Sequence, residues 1–251
     1  MRMLDLSITL ESDPSPLMNV EIKYLDHKHG TKEYNKMGIK TEDLPLGLAY
    51  ADDEVESTTH GGTHMDSPWH FHPTCAGKPA RTIDEIPIDW CFGEGICLDF
   101  HDRPNGTRLE IEDIRNKLSE AAVTLKPGNI VLFYTGAMHA WGREDFWETG
   151  CGPGRDATLW MIEQGIHMMG TDAWSFDRPY KYWIADYKET GDKSLIWEAH
   201  LAGIEKEYCH LEKLTNLDRL PPSGFKVACF PIKIKKASAG FVRAVAMFED
   251  E

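Results

Sequence analysis

The residues most able to do chemistry are histidines between positions 60 and 72. Four of the eleven histidines in this 251-residue chain lie in that stretch, together with Asp66. Random placement would put about 0.6 histidines there, so the cluster needs a cause. Imidazole nitrogens and carboxylate oxygens are the usual protein ligands of zinc, manganese and related divalent ions. The cluster therefore indicates a divalent-metal site.

Neither regular secondary structure can bring these side chains to one ion. A helix would place His60 and His64 on one face, but the glycines at 61–62 and Pro68 oppose a helix. Six extended residues span roughly 20 Å, whereas the ligands of one ion lie within about 2.3 Å of it. If His60, His64 and Asp66 share a metal, the chain must bend sharply between them.

The alternative interpretation is a solvated surface loop that happens to be rich in histidine. The glycines between the potential ligands argue against it, as do the apolar Trp69 and Phe71 on either side of His70. Apolar aromatic side chains beside a metal site can form the wall of a substrate pocket. We therefore take four residues as candidate substrate contacts: Trp69, Phe71, His139 and Trp174.

The segment as a whole resembles a family signature. It resembles the HxGTHxDxPxH motif of the metal-dependent hydrolases called the cyclase family, whose members include bacterial kynurenine formamidase and isatin hydrolase. The resemblance implies that His60, His64 and Asp66 bind metal and that His70 is the catalytic acid/base. It also implies a second metal site in two-metal members, completed by a downstream histidine and glutamate.

His200 and Glu212 match those two downstream positions in spacing. The sequence predicts a helix over residues 196–208, on which His200 lies within an apolar stripe and points inward. A buried histidine is more often a core residue than a ligand, and a solvated glutamate is the simplest interpretation of Glu212. In one straight helix the two would be about 18 Å apart along the axis. The helix must therefore end or turn near 209–210, or the site must lie between two segments.

The elements that position these residues form a mixed α/β pattern without a clean linker. We interpret residues 1–251 as one domain, with 12–50 as an irregular arm that could cover a site or reach a partner subunit. The resemblance implies a swivelling β/β/α fold, with a mixed sheet or barrel flanked by helices, and a homodimer or homotetramer. The predicted strands are 4–10, 94–100, 129–135, 167–170, 225–234 and 241–248, and the predicted helices are 111–123, 155–164 and 196–208.

Composition excludes several classes of partner. The formal net charge is −14, which argues against nucleic acid or an anionic membrane. No apolar run approaches the roughly 20 residues of a membrane span, and the first residues do not resemble a signal peptide. The six cysteines form no CxxC motif. We expect reduced thiols and a cytoplasmic protein.

Together these features predict a hydrolase for a small amide, cyclic amide or formamide, with an aromatic substrate as one option. One or two zinc or manganese ions would activate water, with His70 moving the proton. Residues 173–195 are longer and more aromatic than a compact formamidase needs. This keeps an isatin-like or lactone hydrolase with a mononuclear site as an alternative. A non-catalytic relative that binds metal or a small acid is the other alternative.

Overall fold

The centre of the fold is a nine-stranded mixed sheet, seen in a computed structural model that describes residues 1–11 and 20–249. The sheet curls into a half-barrel, and the mixed α/β class is as predicted. The fourth to seventh strands in its spatial order run parallel to one another, and the other pairings within this sheet are antiparallel. In spatial order the strands are β1 (Arg2–Asp5), β15 (Val245–Phe248), β13 (Phe225–Ala228), β7 (Phe92–Asp99), β9 (Ile130–Tyr134), β11 (Met168–Thr171), β12 (Cys209–Glu212), β4 (His64–Asp66) and β14 (Ala239–Phe241).

Helices and three short strand pairs surround this sheet. In the described ranges the α-helices are α1 (His27–Lys36), α2 (Pro68–Phe71), α3 (Ile111–Glu120), α4 (Arg155–Glu163), α5 (Tyr180–Thr190) and α6 (Glu198–Ala202). The short pairs are β2 (Val20–Lys23) with β3 (Glu54–Ser57), β5 (Thr74–Cys75) with β6 (Lys78–Pro79), and β8 (Arg108–Leu109) with β10 (Gly152–Pro153). None of the helices described is long and apolar enough to cross a membrane.

The central strands are buried on both faces. Along β9, Ile130 and Leu132 enter one hydrophobic core, while Val131 and Phe133 enter a second core on the opposite face. Helices α3 and α4 contribute side chains to that second core, which we call the helix-side core. In parallel strands that are covered on both faces, the sequence is a continuous run of apolar residues rather than an alternation of apolar and polar residues. This explains why the sequence predicts β7 and β9 well.

The strongly patterned elements are confirmed by the structure. The strands predicted at 94–100, 129–135 and 167–170 correspond to β7, β9 and β11, and the helices predicted at 111–123 and 155–164 correspond to α3 and α4. The strands predicted nearer the chain ends are shorter than expected. Strand β1 stops pairing with β15 at Asp5, and the chain then forms an isolated bridge between Ser7 and Leu214.

The region 12–50 contains more regular structure than the irregular arm predicted. Residues 12–19 lie outside the described part of the chain, but β2 and the ten-residue helix α1 follow them. Within α1 the buried residues are Gly30 and Thr31, so the helix has no apolar stripe to reveal it. Its start is marked instead by Asp26, whose carboxylate accepts hydrogen bonds from two N–H groups of the first turn.

The helix predicted over residues 196–208 is wrong beyond Ala202. Trp197, at φ +52°, precedes α6, and Gly203 caps its end after five residues. The chain then turns into β12 at Cys209. This is the turn near 209–210 that the spacing of the candidate ligands requires. It converts two distant positions of one helix into a helix and a strand that face each other.

Candidate metal centre

Two neighbouring strands place four possible metal ligands on one face of the sheet. In the antiparallel pair of β4 and β12, His210 lies opposite Asp66 and Glu212 lies opposite His64. Side chains two residues apart on a strand share a face, so both pairs point the same way. That face continues the helix-side core, which includes α6 residue Ala199. The strand pairing therefore builds the floor of the site.

The glycines before β4 fold His60 back over this floor. Gly62 has φ +62°, a conformation that favours glycine. As a result His60 Nε2 lies 3.2 Å from Asp66 Oδ1, and His64 Nε2 lies 3.3 Å from the same atom. The sharp bend predicted from the spacing is confirmed. We call His60, His64 and Asp66 the first group.

A second group of ligand atoms surrounds the other oxygen of Asp66. His200 Nε2 and His210 Nε2 lie 3.7 and 3.2 Å from Asp66 Oδ2. The same two nitrogens lie 3.7 and 3.4 Å from Glu212 Oε1. We call Asp66, His200, His210 and Glu212 the second group. Asp66 thus presents one oxygen to each group.

His210 is the member of this cluster that the sequence analysis missed. Because the sequence predicts a helix through residue 208, it gives no sign that a strand, β12, begins at Cys209. The available signal was the spacing of His210 and Glu212, which repeats the His-x-Asp spacing of His64 and Asp66. Two such pairs on adjacent strands would have indicated a shared face.

Hydrogen bonds away from the cluster fix two of the imidazole rings. His64 Nδ1 donates to the carbonyl oxygen of Gly62 over 2.9 Å. His200 Nδ1 donates to the Asp177 carboxylate, which also accepts the backbone N–H groups of Ala199 and His200. With Nδ1 bound in this way, each ring turns its Nε2 toward the carboxylates, as metal-bound histidines usually do.

The two central carboxyl groups are held in the ionised form although they are buried. Burial acts to raise the pKa of Asp66, but His70 and His64 outweigh it, and the net pKa lies well below the ordinary value. The pKa of Glu212 is lowered in the same way, with burial opposed by the hydrogen bond from His210. Two negative charges are therefore confined within a few ångströms of each other. Such an arrangement attracts a cation.

Two buried atoms without hydrogen bonds, and the raised pKa of one histidine, show that the site fits a divalent metal. His64 Nε2 and Asp66 Oδ1 are buried and have no hydrogen bond in the described part of the protein. They lie close together but are not aligned for one. Burial acts to lower the pKa of His200, yet Asp177 and the cluster carboxylates raise it to about 10. A proton or a metal ion can satisfy this demand for positive charge, and the donor set of imidazoles and carboxylates suits a divalent ion.

His70 lies at the edge of the cluster, in the one-turn helix α2. Its Nδ1 is 3.0 Å from His60 Nε2, and its Nε2 is 3.7 Å from Asp66 Oδ2. Burial, assisted by the neighbouring histidines and opposed by Asp66, lowers the pKa of His70 to about 4. The imidazole is therefore neutral at pH 7. About a fifth of the side chain is exposed, toward the adjoining cavity.

A cavity of about 580 Å³ opens beside the cluster. His60, His70, His200 and Glu212 line it. Four aromatic side chains also line it, and we call them the aromatic wall: Trp147, Trp174, Tyr180 and Trp197. Of these, Trp197 stacks on His200 with ring centres 4.1 Å apart. Trp174 and Tyr180, the first residue of α5, both belong to the long aromatic segment 173–195, so this segment does shape the cavity. Trp174 lies where the sequence analysis expects a substrate contact.

The other three expected substrate contacts lie elsewhere. Trp69 is 43% exposed and is not among the residues that line this cavity. Phe71 is buried behind the cluster, where its ring stacks on His210 at 5.1 Å. His139 lines a different cavity, and its Nε2 is 3.1 Å from the Tyr134 hydroxyl. Trp69 and Phe71 adjoin the motif residue His70 in sequence, and His139 follows β9, but none of the three lies on the aromatic wall.

Asp177 offers a direct test of how the site is positioned. We expect Asp177→Asn to weaken divalent-metal binding by about 10- to 100-fold, because a neutral amide holds the His200 ring less firmly and makes its Nε2 less basic. Asp186→Asn is the control, because it removes the charge of an exposed carboxylate that pairs with buried Arg178 and with no histidine. Metal retained during dialysis against a chelator series, measured by mass spectrometry, checks this. Equal retention by Asp177→Asn and the parent protein would contradict the role of Asp177.

Known structures share this fold. Isatin hydrolase A from Ralstonia solanacearum superposes with a TM-score of 0.78 at 22% identity, covering 99% of this chain and 92% of the other. Isatin hydrolase A from Labrenzia aggregata gives a TM-score of 0.75 at 22% identity, with coverages of 99% and 94%. At this level of identity the likeness establishes the fold.

Sequence comparisons identify the family. The chain is 27% identical over 191 residues to kynurenine formamidase from Erythrobacter litoralis, which covers 75% of this chain and 73% of the relative. It is 26% identical over 189 residues to kynurenine formamidase from Salinibacter ruber, covering 75% and 76%. The family model described as "Putative cyclase" matches residues 4–178, more than half of the chain. The chain therefore belongs to the cyclase family.

Proposed function

We propose that the protein is a metal-dependent hydrolase that cleaves the C–N bond of a small amide, cyclic amide or formamide. The observation that carries the proposal is the position of His70, which borders both the metal cluster and the aromatic cavity. The similarity to kynurenine formamidases and to the isatin hydrolase fold supports amide chemistry. Family membership alone would not assign these roles to individual residues.

The ligands that we propose are His60, His64 and Asp66 in the first group, and His200 and Glu212 beside Asp66 in the second. A divalent ion bound there supplies Lewis acidity and a lowered pKa for water. The mixture of imidazole and carboxylate donors suits zinc and manganese alike, and we propose one of these. Two groups that share Asp66 support two ions per chain.

His70 moves the proton in the proposed reaction. Its neutral imidazole accepts a proton from the attacking water as the water oxygen bonds to the carbonyl carbon. It then returns that proton to the leaving nitrogen as the C–N bond breaks. The products are a carboxylic acid and an amine, so the atoms of one water are fully accounted for. Because only about a fifth of its side chain is exposed, His70 reaches the cavity while most of the ring is shielded from solvent.

The aromatic wall determines what the cavity can hold. Its four rings offer flat apolar surface that binds an aromatic substrate and excludes bulk water. Lys213 supports this wall, because its Nζ lies 4.3 Å from the Trp174 ring centre and donates to the Trp174 carbonyl oxygen. We therefore propose an aromatic substrate.

Two alternative functions remain distinguishable by experiment. An isatin-like or lactone hydrolase would use a mononuclear site, whereas the presence of Glu212 in the second group favours two ions. A non-catalytic binding relative would need the first group but not His70. A substrate panel of formylkynurenine, isatin, small lactones and cyclic imides separates these functions, since each predicts a different reactive compound or none.

The decisive variant for the proposed mechanism is His70→Ala. We expect it to lower kcat by about 10² to 10⁴ while metal content is retained, because His70 transfers protons without being a ligand. His72→Ala is the matched control, since His72 lies two residues later and bonds to Thr74. Loss of metal from His70→Ala would show that His70 is a ligand. Equal activity of the two variants would contradict its catalytic role.

We also propose a cytoplasmic homodimer or homotetramer. The region before the metal site supports association, because Tyr24 is 75% exposed and Leu46 is fully exposed there. Light scattering during size-exclusion chromatography should give at least twice the 28.5 kDa chain mass. A mass of one chain would contradict the proposal.

A further inference from the structure

His210 is a buried histidine that the proposed mechanism does not use. It is 0% exposed and lies on β12, directly opposite Asp66. We propose that His210 is a fourth protein ligand of the second group, so that the cluster holds two unequal ions. The ion of the second group, with four protein ligands, is the more tightly held, while the ion of the first group has three protein ligands and keeps an open position. This inference rests on the proposed metal-dependent function.

The separations between the donor atoms carry the first step. The nitrogens His200 Nε2 and His210 Nε2 lie 3.7 and 3.2 Å from Asp66 Oδ2, and 3.7 and 3.4 Å from Glu212 Oε1. Four ligands about 2.1 Å from a tetrahedral ion are about 3.4 Å from one another. These four nitrogen–oxygen separations match those of a four-coordinate site, and all four donor atoms lie within 4.8 Å of one another.

The orientation of His210 carries the second step. The Tyr208 hydroxyl donates its proton to the Ala199 carbonyl oxygen over 2.7 Å, so it can only accept from His210 Nδ1, at 3.3 Å. His210 Nε2 faces the carboxylates, 3.2 Å from Asp66 Oδ2. The ring is also stacked between Phe71 and Phe176, with centres 5.1 and 4.7 Å away. Its Nε2 is thus aimed by a hydrogen bond and fixed by packing.

The number of protein donors distinguishes the two groups. The second group has four, all at most 8% exposed, and only His60 of the first group is more exposed, at 21%. The first group has three protein donors and adjoins His70. Protein sites with four protein ligands are typically structural, whereas catalytic sites keep three and leave one position open. The second group therefore has the ligand number of a structural site. The first group has the ligand number of a catalytic site.

Timed release of metal from the zinc-loaded full-length protein tests this inference. With an excess of a colorimetric chelator, the parent protein should release two zinc ions per chain in a fast and a slow phase. His210→Phe keeps an aromatic ring between Phe71 and Phe176 but removes the ligand nitrogen. We expect it to lose the slow phase or to release that ion at least about tenfold faster. His167→Phe is the control, because His167 is stacked on Trp90 outside the cluster.

Each outcome decides between the proposals. A slow phase that is unchanged in His210→Phe, or a single release phase in the parent protein, would overturn the inference and leave hydrolysis by the first group intact. Absence of bound zinc in the parent protein would overturn the proposed function itself. Tyr208→Phe, which leaves the ligand but removes its orienting hydroxyl, provides a second variant if His210→Phe does not fold. It should accelerate the slow phase by a smaller factor, and an unchanged slow phase there would count against the inference.

Discussion

The antiparallel pairing of β4 with β12 is the constraint on which the rest of the site depends. It brings the carboxylates of Asp66 and Glu212 onto one buried face, where both remain ionised. Two negative charges in so small a buried volume are costly unless positive charge compensates them. Without metal, a protonated His200 and Lys213, whose Nζ lies 3.9 Å from Glu212 Oε2, supply that charge. A metal cation can take the place of the proton on His200, and the imidazole nitrogens are arranged to hold one.

Hydrogen bonds on the side of the histidines away from the carboxylates orient these rings toward the cation site. The Asp177 carboxylate, the Gly62 carbonyl and the Tyr208 hydroxyl each take the Nδ1 side of one histidine. Every ring so held turns its Nε2 toward the shared carboxylates. His60 Nδ1 lies 3.2 Å from the Thr59 hydroxyl. His70, whose Nδ1 faces His60 Nε2, borders the cavity instead. The same cluster thus separates residues that hold a cation from one that is placed to move protons.

The sequence predicted most of the site because its motif is compact and local. His60, His64 and Asp66 follow from ligand chemistry and from the bends that glycine permits. The pairing of His200 with Glu212 required the family resemblance, since spacing alone left both as ordinary residues. His210 could not be placed while a helix was drawn through residue 208. The break after Ala202 lies at Gly203, which packs so closely on the Phe71 ring that a Cβ there would lie 2.3 Å from it.

Elements of the fold were predictable where their apolar pattern was strong. Strands β7 and β9 carry continuous apolar runs, whereas α1 is polar on most sides and offers no periodic signal. The aromatic wall is assembled from segments that are far apart in sequence, which is why Trp147 and Trp197 could not be selected. Local neighbours of the motif, such as Trp69, point to solvent instead.

Anomalous X-ray scattering from crystals of the zinc- or manganese-loaded protein tests the central claim most directly. The account predicts a strong anomalous peak within about 2.3 Å of Asp66 Oδ1 and of both His60 Nε2 and His64 Nε2. A second peak should lie on the Oδ2 side of Asp66, between the His200 ring and Glu212. A fully loaded crystal with no peak at Asp66, or with metal bound only elsewhere, would contradict the claim that this buried pair of carboxylates exists to hold a divalent cation.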